Sequence, residues 1–277
     1  TKKIISSLKI KSDHTTITTL PFSYSYGLSI LNSHFFKGAC LVVNNLTVFE
    51  KNFWKVFDKY KVNSFGGVPQ LYKQLRMLKF PNKKYPHLKY LTQAGGKLSD
   101  QLVDYFYSTC KKNKIKFIIM YGQTEASPRI SFLPWKDLQN KKKSIGTGMK
   151  GYRLSLVDKN KKIINKTYSE GELVVRGKNI FLGYANNYKD LFNGDVNNQI
   201  LYTGDYAFRD NQGFFYITGR KSRFAKLFGF RINLDDIENI IKEENIECKV
   251  QSLDEEILVK ITKKKNSFKK FNKKFNI

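Results

Sequence analysis

The stretch from residue 88 to residue 120 constrains the fold more than any other part of the sequence. Residues 88–94 form a strand-like apolar run, Ser99 can cap a helix that continues to Cys110, and residues 115–120 form a continuous apolar run. Continuous runs of this kind are typical of strands buried on both faces of a parallel sheet. A serine ahead of a helical pattern is a common helix start. The order strand, helix, strand therefore predicts a mostly parallel α/β sheet.

The texture of the sequence changes along the chain and divides it into three parts. Apolar residues recur at helical spacing over residues 52–79, whereas residues 145–219 contain short β-type runs separated by turn residues. Beyond these lie a candidate helix that opens at residues 233–238 and an apolar strand at 257–261. We predict an α/β parallel-sheet subdomain over 1–144, a small β-barrel or antiparallel-sheet subdomain over 145–221, and a partial α+β C-terminal domain over 222–277 after a hinge.

Net charge raises a different class of function. The chain carries 50 basic and 23 acidic residues, a formal net charge of +27, and clustered cations favour nucleic-acid binding because they displace phosphate counterions. Only eight of the basic residues are arginine, the side chain that reads phosphates and guanine edges through paired hydrogen bonds. Lysine is instead spread through every segment. This favours an ordinary basic surface and leaves a nucleic-acid-binding protein as the weaker alternative.

Cysteine usage and hydropathy bear on the compartment. Cys40, Cys110 and Cys248 are scattered, without the spacing of a metal site or the even number of a disulfide framework. This fits a reducing, cytoplasmic setting. No apolar run approaches the length that spans a bilayer, so neither a signal peptide nor a transmembrane helix is predicted.

The segment that follows the second predicted strand carries groups suited to a nucleotide. It reads Tyr121-Gly122-Gln123-Thr124-Glu125. A loop at the carboxyl end of a parallel strand can present side chains to a ligand above the sheet. The tyrosine offers a flat ring to a purine, the glycine allows close backbone approach, the threonine offers a hydroxyl to phosphate, and the glutamate offers a hard oxygen to Mg²⁺. Taken alone, the same residues equally describe a turn with a capping threonine.

Four further motifs follow in a fixed order over about a hundred residues, which argues against chance. They read Gly171-Glu172-Leu173-Val174-Val175-Arg176-Gly177 with Gly183-Tyr184, then Tyr202-Thr203-Gly204-Asp205, then Gly219-Arg220-Lys221-Ser222, then Lys226-Leu227-Phe228-Gly229-Phe230-Arg231-Ile232. Together with the first motif they resemble those of the adenylate-forming enzymes: acyl-CoA synthetases, aryl-CoA ligases, luciferases and peptide-synthetase adenylation domains. The resemblance covers nearly the whole chain, since Leu20-Pro21-Phe22 with Gly27, and Gly67-Val68-Pro69, match earlier landmarks of the family.

The resemblance implies a set of nucleotide contacts, which we carry over position by position. The base would lie between the Tyr121 ring and the backbone of Ala94, Gly95 and Gly96, beside Gly122. Thr124 would contact phosphate, and Glu125 would hold Mg²⁺. Asp205 would accept hydrogen bonds from both ribose hydroxyls, and Arg220 would approach the ribose and phosphate. These residue types suit their partners, because a carboxylate only accepts hydrogen bonds and a guanidinium is a fixed cation.

The resemblance also implies a second, thioester-forming step after a swing of the C-terminal domain. Ser222 would be the hinge residue. Lys226 would place a cation near the acyl phosphate, and Gly229 would leave room for the pantetheine arm of CoA or of a carrier protein.

The acid is the least specified substrate. Adenylation domains that select amino acids carry an aspartate after the first landmark, whereas here Ser23-Tyr24-Ser25 follows Phe22. This favours an acid without an α-amino group. Its pocket would draw on Tyr24, Phe65, Gly66 and Gly67, although these residues could equally pack in the core.

Two family features do not occur in the sequence. These are a Gly/Ser/Thr-rich phosphate loop before the first landmark and a lysine in a Gly-Lys context near the C-terminus. We therefore expect both ends to be cut and this chain alone to be inactive. The implied parent enzyme is an AMP-forming ligase that uses ATP, Mg²⁺ and CoA or carrier-protein pantetheine. The alternative is a non-catalytic adenylate-binding relative.

Overall fold

The computed structural model describes residues 1–227, 230–244, 246–253 and 256–263. In these ranges the chain forms two units: the first comprises Thr1–Thr203 and Phe208–Ile217, and the second comprises Gly204–Ala207 and the chain from Thr218 onward. None of the helices described is both long and apolar enough to cross a bilayer. The boundaries that we placed at residues 144 and 221 stay predictions.

α-Helices and strands alternate as far as Tyr121, after which strands predominate. The helices are α1 (Lys2–Leu8), α2 (Ser25–Lys37), α3 (Lys51–Lys59), α4 (Pro69–Met77), α5 (Asp100–Lys112) and α6 (Leu234–Glu243). The first eleven strands are β1 (Thr15–Ile17), β2 (Cys40–Val42), β3 (Ser64–Gly67), β4 (Tyr90–Gln93), β5 (Lys116–Tyr121), β6 (Ser131–Leu133), β7 (Thr147–Gly148), β8 (Arg153–Val157), β9 (Gly171–Arg176), β10 (Ile200–Arg209) and β11 (Phe215–Arg220). The last four are β12 (Phe224–Leu227), β13 (Phe230–Asn233), β14 (Glu247–Leu253) and β15 (Glu256–Lys263).

The largest sheet confirms the predicted α/β class. Its seven strands lie in the order β2-β1-β3-β4-β5-β6-β7. Neighbours from β2 to β5 pair in parallel, and β6 and β7 add antiparallel pairs at one edge. In parallel neighbours the carboxyl ends meet at the same sheet edge, so the loops after β3, β4 and β5 emerge together.

The helix between β4 and β5 begins where the sequence predicts. The Ser99 side chain accepts a hydrogen bond from the Leu102 amide, and α5 buries one face through Leu102, Val103 and Phe106. A cap of this kind stabilises a helix by about 1 kcal/mol. The helix therefore starts at a defined residue and connects β4 to its parallel neighbour β5.

An aromatic cluster fills one face of the main sheet. Phe65 of β3 is 1% exposed and packs edge-on against Phe57 of α3 and Phe80. Trp54 stacks on Phe80 with ring centroids 5.2 Å apart. Full burial of one such ring contributes roughly 1.5–3 kcal/mol, so this cluster anchors the sheet. Of the two roles considered for Phe65, the structure places it in the core.

A second sheet contains the β-rich part of the chain. Its order is β11-β10-β9-β8, and β8 pairs with β9 antiparallel over Arg153–Val157. The described strands thus form a four-stranded sheet in which β8 and β9 are antiparallel, and the barrel-like subdomain over 145–221 stays a prediction.

The turn between β10 and β11 is held by a buried carboxylate. Asp210 is 3% exposed and forms a 2.6 Å ion pair with Lys141. Its other oxygen accepts the Gln212 and Phe214 amides, each at 2.9 Å. Burial acts to raise the pKa of the Asp210 carboxyl, but the hydrogen bonds from Lys141 and the two amides outweigh it and hold that pKa below its usual range.

In the second unit, two antiparallel pairs, β12-β13 and β14-β15, accompany α6. The Asn233 side chain caps α6 at the predicted start by accepting the Asp235 amide at 3.0 Å. Arg223 joins the elements, since its guanidinium donates to Asp235 and Glu238 of α6 and to the Val250 carbonyl of β14. This three-way contact fixes α6 against β14, and nothing in the local sequence predicts it.

Candidate functional site

The loop after β5 has the backbone that the sequence predicts. Tyr121 ends β5, and Thr124–Ala126 form a 3-10 turn. A Cβ atom on Gly122 would lie 1.4 Å from the Pro128 carbonyl oxygen, so only glycine fits. This close approach folds the loop back on itself and holds Thr124 and Glu125 at the carboxyl edge of the sheet.

Tyr121 is half-buried and packs against an apolar cluster that includes Ala126 and Val175. Gln123 donates one hydrogen bond to the Tyr121 hydroxyl at 3.3 Å and another to the Thr203 carbonyl at 2.9 Å. The Gln123 side chain therefore ties the predicted adenine ring to the start of β10. The sequence around Gln123 does not reveal this role, because its second partner lies 80 residues away.

The turn Ala94-Gly95-Gly96 follows β4, and β4 is the parallel neighbour of β5. Gly95 has φ +77°, and a Cβ there would approach the Tyr24 hydroxyl to 2.6 Å. The structure thus brings the predicted base wall to the same sheet edge as the Tyr121 loop, with Tyr24 beside it. These glycines are required by backbone conformation and by close approach.

Gln93 shapes this turn, and sequence analysis missed it. The side chain is 1% exposed, and its amide donates to the Ala94 carbonyl at 3.1 Å and to the Gly96 carbonyl at 2.7 Å. Two hydrogen bonds from one buried amide fix the carbonyl directions of a Gly-Gly turn that has little intrinsic order. The signal that could have found it is a polar residue at the end of an otherwise apolar strand.

The Thr124 side chain contacts the first residue of α2. Its hydroxyl is 2.8 Å from the hydroxyl of Ser25, the first residue of that helix, and both side chains are exposed or partly exposed. The first amides of a helix lack intrahelical partners and favour anions. A phosphate contact at Thr124 would therefore also meet the amino end of a 13-residue helix.

Glu125 is held from both its main chain and its side chain. Its carbonyl accepts the Phe181 amide at 2.8 Å, and its carboxylate accepts the Tyr184 hydroxyl at 2.7 Å. This hydrogen bond raises the pKa of the Tyr184 phenol. The resemblance assigned no role to Gly183-Tyr184. In the structure Tyr184 contacts Glu125, the predicted metal ligand.

The donor set suits Mg²⁺ held partly by a nucleotide. In the part of the chain that the structure describes, no cluster of three or more histidine, cysteine or acidic side chains could hold a metal by itself. Mg²⁺ usually binds one or two carboxylates together with substrate phosphates. A single carboxylate at Glu125, next to the Thr124 hydroxyl in sequence, fits that mode.

In the second unit, Asp205 and Arg220 form an ion pair. Arg220 Nε lies 2.8 Å from Asp205 Oδ1, the Asp205 side chain is 3% exposed, and the Arg220 side chain is 59% exposed. Gly204, with φ +69°, turns the β10 backbone just before the aspartate. The structure therefore brings together the two residues predicted to contact the ribose.

The residues predicted for the second step lie farther along this unit. Ser222 lies in the 3-10 turn Lys221–Arg223. Lys226 lies in β12, where its backbone pairs with Arg231 of β13. Gly229 lies outside the described residues. Roles for all three stay predictions.

Comparison with known proteins agrees with the fold and identifies the family. The family model of AMP-binding enzymes matches residues 2–185, and the chain belongs to this family. Acyl-coenzyme A synthetase ACSM2, mitochondrial, of Rattus norvegicus is 26% identical over 212 residues, 74% of this chain and 36% of that protein. The oxalate–CoA ligase of Saccharomyces cerevisiae is 26% identical over 244 residues, 87% of this chain and 44% of that protein.

Solved structures match over a longer stretch. O-succinylbenzoate coenzyme A synthetase (MenE) from Bacillus subtilis, in complex with ATP and magnesium ion, matches with a TM-score of 0.79 and 20% identity, and the match covers 98% of this chain and 57% of that chain. At this identity the match shows the fold. The chain spans less than half the length of the two curated relatives described above.

Proposed function

We propose that this chain contributes the nucleotide site of an AMP-forming acid–thiol ligase. The observation that carries the proposal is the shared sheet edge after β4 and β5. There the Gly95 turn follows β4, and Tyr121 ends the neighbouring parallel strand β5, which Thr124 and Glu125 follow. Relatives that are named as CoA synthetases and CoA ligases support the same reaction class.

The reaction would proceed in two steps. A carboxylate oxygen of the acid attacks the α-phosphorus of ATP, the bond to the β-phosphate breaks, and pyrophosphate leaves with the negative charge. A thiolate sulfur of CoA or of a carrier pantetheine then attacks the carbonyl carbon of the mixed anhydride. The bond between this carbon and the phosphate oxygen breaks, giving a thioester and AMP.

The residues of this chain would bind and orient the nucleotide. Tyr121 and the Gly95 turn would hold the base, Asp205 would accept the ribose hydroxyls, and Thr124 would donate to phosphate. Glu125 would hold Mg²⁺, which neutralises charge on the phosphates when bound. Positioning and electrostatic stabilisation of this kind account for most of the rate enhancement in phosphate chemistry.

For the second step we propose Lys226 as the cation near the acyl phosphate and Gly229 as the residue that admits pantetheine. Ser222 would be the hinge of the movement between the steps. Thioester formation with free CoA and with a carrier protein, measured side by side, separates the two acceptors.

We also propose an acid without an α-amino group. The support is that Ser23-Tyr24-Ser25 follows the first landmark, where an amino-acid-selecting domain would carry an aspartate, and that the Tyr24 hydroxyl lies beside the Gly95 turn. A panel that pairs each carboxylic acid with its α-amino analogue tests this. Faster exchange with the amino acids would contradict the proposal.

The deciding experiment is acid-dependent exchange of radiolabelled pyrophosphate into ATP by the protein that carries this chain. Glu125→Gln should reduce exchange about 100-fold, because one charged group at the reacting phosphates is lost. Glu170→Gln, which alters an exposed carboxylate, is the matched control. AMP binding without exchange across a broad acid panel would instead identify a non-catalytic adenylate-binding relative.

A further inference from the structure

A guanidinium lies inside the first unit without a countercharge. Arg129, just before β6, is 3% exposed. Its Nε donates to the Ser29 hydroxyl at 3.0 Å, and the guanidinium lies over the Tyr26 ring at 4.9 Å from the centroid. Arg129 Nη1 is buried and has no hydrogen-bond partner, and no ion pair joins Arg129 to any acidic side chain that the structure describes.

Arginine is always charged in proteins, so this burial needs compensation. The ring face of Tyr26 supplies part of it. Burial lowers the pKa of Arg129, which reports the same unfavourable environment. A buried cation with an unused donor is a strong indication that something of opposite charge binds there.

Three other buried side chains around Arg129 also carry polar atoms without partners. They are Tyr90 through its hydroxyl, His34 through Nε2 and His14 through Nδ1, and their residues are 6%, 3% and 4% exposed. Tyr90 and Tyr26 belong to one buried cluster, and His34 lies on α2 together with Tyr26 and Ser29, the two residues that contact Arg129. The His14 and Tyr90 rings lie 6.4 Å apart. The unpartnered atoms thus belong to one interior region rather than to scattered defects.

The chemistry of these atoms favours donation to an anion. Burial raises the pKa of the Tyr90 phenol and a contact with Ser64 acts to lower it, but the hydroxyl has no partner at normal hydrogen-bond geometry and can donate, as Arg129 Nη1 can. His34 Nδ1 donates to the Ile30 carbonyl at 2.8 Å, so Nε2 of the neutral ring is an acceptor and is not a ligand for an anion. Asp13 is the acid nearest to His14, at 4.0 Å from Nε2, but its side chain is 70% exposed.

We propose that Arg129 and Tyr90 bind a chloride ion inside the first unit. One guanidinium carries one positive charge, so a monovalent anion neutralises it, whereas a dianion would leave a net negative charge in the interior. Arg129 lies four residues after Glu125, and Ser29 and Tyr26 lie on α2, whose first residue contacts Thr124. The ion would therefore stabilise the segment that carries Thr124 and Glu125. The inference does not depend on the ligase reaction.

The test is thermal unfolding in sodium chloride and in sodium gluconate at equal ionic strength. An ion that binds only the folded state raises the Tm with its concentration according to its Kd. We expect a saturable rise in chloride that gluconate, which is too large for the interior, does not produce. Coincident Tm curves in the two salts would overturn the proposal.

Variants separate a specific ion from general screening of a chain with net charge +27. Arg129→Met should abolish the difference between the salts, whereas Arg153→Met removes the same charge from an exposed position and should preserve it. Tyr90→Phe, which removes one donor and little volume, should weaken chloride binding about tenfold. An equal salt response in the two arginine variants would overturn the site.

A direct observation covers the case in which Arg129→Met fails to fold. Crystals grown in sodium bromide, with the halide located by its anomalous scattering, should show bromide within hydrogen-bonding distance of Arg129 Nη1. A water molecule in that position would refute the proposal.

Discussion

Replacing Gln93 by leucine tests whether a buried amide shapes the base wall. The change keeps the approximate size of the side chain and removes the hydrogen bonds of 3.1 and 2.7 Å to the Ala94 and Gly96 carbonyls. The hydrogen bond to Ala94 is buried, so water does not readily replace it, whereas the bond to Gly96 is partly exposed and water can replace it. The expected loss in the free energy of unfolding is about 2–3 kcal/mol.

Two measurements on Gln93→Leu follow separate consequences of that loss. Urea unfolding measures the free energy of unfolding. Calorimetric titration measures the affinity for AMP, which we expect to be about tenfold weaker because binding must now order the turn. Gln139→Leu is the control, since Gln139 is exposed and accepts one hydrogen bond from Tyr107. Equal stability of the two variants would refute the energetic reasoning. Lower stability with unchanged AMP affinity would show that the turn does not contact the base.

Three further outcomes follow from the structure. Gly122→Ala drives a methyl group into a backbone carbonyl and should cost about 3 kcal/mol or more in urea unfolding, whereas Gly213→Ala, which meets open space, should cost about 1 kcal/mol. Wild-type protein should bind AMP more tightly than its 2′-deoxy analogue, and Asp205→Asn should lose this preference in calorimetry while Asp236→Asn keeps it. Asp210 has a pKa below its unfolded value, so its stabilisation is present above about pH 4 and lost as pH falls through the folded pKa. In Asp210→Asn the urea midpoint should depend less on pH between pH 5 and 2 than in the wild type. An unchanged dependence on pH would contradict this role of Asp210.

Local pattern was sufficient for the elements that local physics controls. The cap at Ser99 and the buried strand before Tyr121 were predictable because a hydroxyl ahead of a helix and a continuous apolar run each act within a few residues. The sequence predicts only short β-type runs over residues 145–219, but β10 spans ten residues, Ile200–Arg209. Gly204 takes a positive φ within this strand and does not end it.

The contacts that complete the site were not predictable, because they join residues distant in sequence. Tyr184 meets Glu125 across 59 positions, and Gln123 meets the Thr203 carbonyl across 80. Arg129 gave no sequence signal, since one arginine in a lysine-rich chain looks like a surface charge. Its burial depends on tertiary packing, because the segment just before β6 packs against Ser29 of α2.

The ion pair between Asp205 and Arg220 limits how this protein can be cut or recombined. A chain shortened to end at Ile217 would keep the aspartate of β10 but lose the guanidinium that β11 supplies from its last residue. A crossover between relatives anywhere from 205 to 220 would likewise take the two partners from different parents. Shortened or chimeric versions should therefore keep the segment from Gly204 to Arg220 intact, so that acceptor and cation are inherited together.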